Sequence, residues 1–143
     1  MMPLQLELAE VARPLPPKHH ISDAAFAFLN HLRFTAMACR SKPRADLFQA
    51  CALLHVTPTA THQAHADALV RCLGEALGKQ PKMHAPGTVE MSFDECWLVQ
   101  LGEAMAQSDD GSVAFLLSSR VRSEHRRLIR FLMRRTSKHF ALH

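Results

Sequence analysis

Tyrosine is absent from the 143 residues, tryptophan occurs once, and no segment alternates polar and apolar side chains with a period of two. Strands draw on aromatic and β-branched residues set in that alternation, so a sheet-based fold is excluded in favour of helices. The four cysteines, Cys39, Cys51, Cys72 and Cys96, stand 12, 21 and 24 positions apart with no C-x-x-C pair, a spacing that matches no redox motif or zinc signature. Each lies among apolar residues, where a free cysteine acts as a small hydrophobe. A reducing, cytoplasmic setting is expected.

Long hydrophobic runs are missing as well. The longest segment without Asp, Glu, Lys or Arg is Leu47 to Ala66, and it carries Pro58, three Thr, three His and two Gln, too polar for a bilayer span. The opening MMPLQLELAE has two acids and no basic residue beside its short apolar run, the reverse of a secretory signal. Catalytic signatures are lacking too: there is no G-x-S-x-G, H-E-x-x-H or G-x-G-x-x-G, and so no nucleophile elbow, zincin helix or dinucleotide loop. GEALGKQ, residues 74–80, is one residue short of a phosphate-binding loop and has Gln80 where a hydroxyl must reach magnesium. Asp94 and Glu95 sit at a predicted helix N-terminus, where negative charge is favourable in itself. Glu124 and His125 are sequence neighbours, which point in different directions on a helix. No enzymatic activity and no cofactor are expected.

What is present reads as helix after helix. Residues 1–20 contain RPLPPKHH, in which three prolines within four positions favour an extended arm. RPLPP also resembles a ligand of proline-recognition domains, although a plain linker accounts for it. Residues 21–143 form the expected helical domain, and 48% hydrophobic content is enough for one core at this length. Ser22 caps a first helix through Ala25, Phe28, Leu29, Leu32 and Ala36 to about Cys39. Pro43 opens a second, carrying Leu47, Ala50, Cys51 and Leu54. A third begins near Thr57 or Thr59, carries Ala66, Leu69, Val70, Leu73 and Leu77, and stops at Gly78. Ser92 and Glu95 form a capping box for a fourth, with Trp97, Leu98, Leu101, Ala104 and Met105 facing inward. QSDDGS breaks it, and a short apolar helix over Val113 to Leu117 leads into the basic segment, with a break near Ser123 as one option. The fold class is all-α: a single-domain bundle of about five or six helices with an extended Pro-rich N-terminal arm.

Two motifs compete for a role around the third helix. Cys51 and His55, four apart, and His62 and His65, three apart, could meet across a hairpin as zinc ligands. Cys51 lies on the apolar stripe, however, and His55 suits a helix end, so no metal centre is expected. ACALLHVTPTATHQAHADAL, residues 50–69, partly resembles a helix-turn-helix, with Thr59, His62, Gln63 and Arg71 on the reading helix. His55 occupies a turn position that prefers Gly and Thr61 one that prefers a buried apolar residue, so a plain helical hairpin accounts for the pattern better.

The strongest signal is charge. From Arg120 onward there are eight Lys or Arg and one acid, giving +7, while the first 119 residues hold nine basic and twelve acidic residues, giving −3. As a helix, the segment after Ser123 places Leu128, Ile129, Leu132 and Met133 on one face. Arg126, Arg130 and Arg134 form an i, i+4, i+8 row opposite, with Arg127 and Lys138 beside it and Arg122 just before. Like charges at that spacing repel, so an external compensator is expected. Arginine forks suit phosphate, which points to nucleic acid. A membrane surface would need the apolar face free, and Asp109, Asp110 and Glu103 offer compensation within the molecule. The expected function is a non-enzymatic helical binding or regulatory module engaging an anionic macromolecule, nucleic acid or an acidic protein surface, through Arg122, Arg126, Arg127, Arg130, Arg134 and Lys138. The alternative is a protein-interaction or homodimerising helical adaptor.

Overall fold

A computed structural model of the chain describes residues 21–41, 58–140 and 142. Among these it is all helical, with five α-helices and no strand. They are α1 (Asp23–Ser41), α2 (Pro58–Leu77), α3 (Phe93–Ala106), α4 (Asp110–Arg120) and α5 (Arg126–Ser137), with a single 3₁₀ turn, Ser123–His125, leading into α5. The expected arm over residues 1–20 and the expected helix from Pro43 to Leu54 lie outside the described residues.

Local chemistry explains five of the helix boundaries. Ser22 Oγ accepts from the Ala25 amide at 3.1 Å and caps α1. Pro58 stands at the first position of α2, where its missing N–H is no loss. That helix ends at Gly78, whose φ of 82° lies in the left-handed region that only glycine enters at no steric cost. The Ser92–Glu95 capping box starts α3 as expected: Glu95 N donates to Ser92 Oγ at 3.1 Å and Ser92 N to Glu95 Oε1 at 3.0 Å. Asp109 caps α4 through the Ser112 amide.

α2 packs most extensively against α5 and also against α1, while α3 contacts α1, α4 and α5. The core where these helices meet includes Phe28, Leu32, Leu69, Leu73, Leu98, Leu101, Ile129 and Met133, all fully buried or nearly so. Trp97 anchors the α3–α4 contact, its Nε1–H donating to Leu116 O at 3.0 Å. Met105, expected inside, is only partly buried. No described helix is long and apolar enough to cross a membrane.

One polar feature holds the 78–92 connection against the helices. Arg33 of α1 and Glu95 of α3 form an ion pair with both side chains 0% exposed. Arg33 Nε–H donates to Glu95 Oε2 at 2.7 Å and Nη2–H to Oε1 at 3.0 Å. The remaining guanidinium hydrogens go to Asn30 Oδ1, Thr88 O and Glu90 O, so all five Arg33 donors are used. Glu95 also accepts from the His84 amide at 2.8 Å. Burial works against its charge, but Arg33 and the Ser92 and His84 amides outweigh that and hold its carboxyl below its ordinary value. Beside it, Asp94 takes the Lys82 amide and the Arg120 guanidinium. Arg120 lies between the Phe93 and Trp97 rings, 5.2 and 5.1 Å from their centroids.

Candidate nucleic-acid interface

α5 is strongly amphipathic, but its faces are rotated from the expected ones. Ile129, Leu132 and Met133 are buried as expected, and so are Thr136 and Ser137, whereas Leu128 is 45% exposed. Thr136 has its carbonyl oxygen 3.1 Å from His62 Nε2 of α2, while Ser137 lines the groove that α5 forms with α3 and α4. The outward face is therefore centred one position further along. At about 100° per residue, Arg127, Phe131, Arg134 and Lys138 fall within about 60° of arc, and Arg135 borders them. All five are exposed.

This separates the six expected site residues into two groups. Arg127, Arg134 and Lys138 project outward, and Arg122 is exposed just ahead of the 3₁₀ turn; none of the four has a carboxylate partner among the described residues. Arg126 turns back toward the fold, its Nε–H donating to Val121 O at 2.9 Å. Arg130 pairs with Asp110 at 3.2 Å, an ion pair exposed on both sides and so worth about 0–1 kcal/mol. The Arg126, Arg130, Arg134 row thus winds from the edge of the core to solvent, and among the described residues internal compensation by a carboxylate is realised at its middle member alone. Beside that pair a groove of about 430 Å³ runs between α3, α4 and α5, with Met105, Val113 and Phe140 on its apolar side and Arg134 and Lys138 on its cationic side.

Sequence reasoning missed Arg135 and Phe131. The signal was present, since residues 127, 131, 134, 135 and 138 follow helical spacing, but an arginine row beginning at Arg126 pointed to the wrong arc. In the structure the Arg135 guanidinium lies 5.5 Å from the Phe131 ring centroid, and His65 of α2 meets the same ring edge-to-face, with centroids 5.8 Å apart and planes at 73°.

Among the described residues no group of three or more candidate ligands is arranged to hold a metal ion. Cys51 and His55 lie outside the described residues, and His62 and His65 are used separately. His62 stacks on His31, with centroids 4.9 Å apart and planes at 9°, lies 3.7 Å from the His139 ring, and has Nε2 3.1 Å from Thr136 O. Gln63, another expected reading residue, donates to Thr35 Oγ1 and Asp67 Oδ1. The α2 face that a helix-turn-helix would offer to bases is thus partly spent on the fold. Burial pushes the His65 imidazole below its ordinary value, and Arg135 adds to the shift. Burial, then His62 and Lys138, do the same to His139. The cationic face therefore acts on its neighbours, favouring their neutral forms. Comparisons of the chain with protein-family models, with curated proteins and with solved structures find no match.

Proposed function

We propose that the chain is a non-enzymatic binding module whose α5 engages the phosphate backbone of nucleic acid. The observation that carries this reading is the outward face of α5: Arg127, Arg134 and Lys138 are exposed on one arc, with Arg135 beside them and Arg122 ahead, and the first three have no carboxylate partner among the described residues. Charges left so close together without a counter-ion repel one another, and a polyanion relieves that repulsion while releasing its own condensed counterions. Arginine predominates, and its fork bonds two phosphate oxygens at once. A cytoplasmic setting goes with this reading: Cys39, Cys72 and Cys96 are free thiols, each pushed by burial away from the reactive thiolate form.

The test is a titration of labelled double-stranded DNA and RNA at several salt concentrations, with wild type and with Arg127→Gln/Arg134→Gln/Lys138→Gln. The expected result is wild-type binding whose salt dependence on DNA becomes shallower in the variant by about 0.9 for each phosphate the protein no longer neutralises. Absence of wild-type binding at about 0.15 M salt, or an unchanged slope in the variant, refutes the reading. A second reading, a protein-interaction or homodimerising adaptor, is favoured by Leu128 and Phe131, which leave apolar surface exposed on the same helix at 45% and 46%. An acidic partner or a second copy of the chain would then cover α5, and sedimentation of the protein alone at rising concentration separates the copy from the partner.

A further inference from the structure

We infer that the nucleic acid this face takes is single-stranded, with Phe131 as a stacking platform for one base; the inference rests on the backbone-binding reading above. Phe131 is 46% exposed, although a phenyl ring of that size gains from burial and the core lies one helix face away. Along the helix axis it stands within the cationic run, one turn after Arg127 and one turn before Arg134 and Arg135. Its setting is also ordered: His65 meets it edge-to-face at 5.8 Å and the Arg135 guanidinium lies 5.5 Å from its centroid. A ring that is 46% exposed and already fixed by two neighbours can accept a planar partner at little further entropic cost.

The kind of nucleic acid follows from what such a ring can reach. In a duplex the base faces are covered by their neighbours, so an aromatic ring on a convex helix meets sugar and phosphate and gains little. In a single strand the bases can be splayed out and stacked on aromatic side chains while cations track the backbone. Spacing along α5 agrees. At 1.5 Å rise per residue, Arg127 precedes Phe131 by about 6 Å and Arg135 follows by about 6 Å. The phosphates of a stacked strand advance by about 3.4 Å, so cations placed this way on either side of one ring suit a strand opened at that base.

The experiment compares a labelled 20-nucleotide oligo-dT, the matching oligo-rU and a 20-base-pair duplex, each titrated with wild type, Phe131→Ala, Phe131→Trp and the Arg127→Gln/Arg134→Gln/Lys138→Gln variant. Phe131 is partly exposed, and circular dichroism checks that each variant keeps its helices. The expected result is tighter wild-type binding to the single strands and a loss of about 5- to 150-fold on them in Phe131→Ala, the range of one base–aromatic stack. The salt slope should not change, Phe131→Trp should restore the affinity, and the duplex should respond less than twofold. If Phe131→Ala binds single strands as wild type does, or loses affinity equally for duplex and single strands, the stacking role is overturned while the backbone reading stands. If wild type binds none of the three, both fall together.

Discussion

Glu95→Gln is the sharpest test of how this bundle is held together. The two side chains have nearly the same volume, so the change removes a charge without leaving a cavity. Glu95 accepts four hydrogen bonds with no solvent exposure: Oε2 takes Arg33 Nε–H and the His84 amide, and Oε1 takes Arg33 Nη2–H and the Ser92 amide. Glutamine has one oxygen and one amino group, and whichever way it is turned, the amino group confronts one arginine donor and one backbone donor. Each stranded donor costs about 1–3 kcal/mol, and the pair agrees with the roughly 3–5 kcal/mol expected for leaving a buried charge without its partner. Against a total stability of about 5–15 kcal/mol for a domain, that is a large loss. Urea denaturation followed by circular dichroism is the assay, because guanidinium would screen the ion pair under test. With a slope near 2 kcal/mol per molar, the midpoint should fall by about 2 M. A double-mutant cycle with Arg33→Met and Glu95→Leu should give a double variant about 3 kcal/mol less destabilised than the sum of the singles, since the second change removes the charge the first one strands. A loss below about 1 kcal/mol in Glu95→Gln, or strict additivity in the cycle, would refute the reasoning.

Acidification should weaken the fold in two stages. The His31, His65 and His139 imidazoles are held below their ordinary value of 6.5, burial being the first cause in each, with His62 next for His31 and His139 and Arg135 next for His65. Below pH 6.5 the unfolded chain therefore binds protons that the folded chain refuses, and stability falls. Asp94 and Glu95, with carboxyls lowered from 3.8 and 4.5, contribute stability present above those values and lost as pH falls through their folded ones. Thermal melts from pH 7.5 to 3 should show both stages, His31→Gln should flatten the first, and a constant melting temperature between pH 7.5 and 5.5 would rule it out. Arg126→Gln should leave the salt dependence of DNA binding unchanged and cost about 1 kcal/mol of stability, because its guanidinium caps Val121 O instead of facing solvent. A slope shift equal to that of Arg134→Gln would place Arg126 on the binding arc after all.

The parts of the fold legible in the sequence are those written in residues a turn apart. The Ser92–Glu95 box, the Ser22 cap, Pro58 at the start of α2 and the stop at Gly78 each follow from backbone chemistry within a few positions. What sequence could not show is where one helix touches another. Thr136 and Ser137 are polar and buried while Leu128 and Phe131 are apolar and exposed, because the approach of the neighbouring helices, not hydrophobicity alone, decides which stripe of α5 turns inward. Three of the six expected cationic residues consequently lie on the outward arc of α5 and a fourth is exposed before it, while Arg126 and Arg130 are engaged elsewhere. Arg33 reads as an ordinary polar residue of α1, and nothing near it announces that its partner is 62 positions away.

That separation bears on the order in which the molecule assembles. Glu95 serves a partner three residues distant and another 62 residues distant. The near bond closes a single turn on the timescale of helix formation, so the carboxylate is already aimed when the far one forms. Closing a 62-residue loop opposes the second by about 4 kcal/mol. The 78–92 connection, whose carbonyls at Thr88 and Glu90 accept from the same guanidinium, is fastened to α1 through that distant side chain.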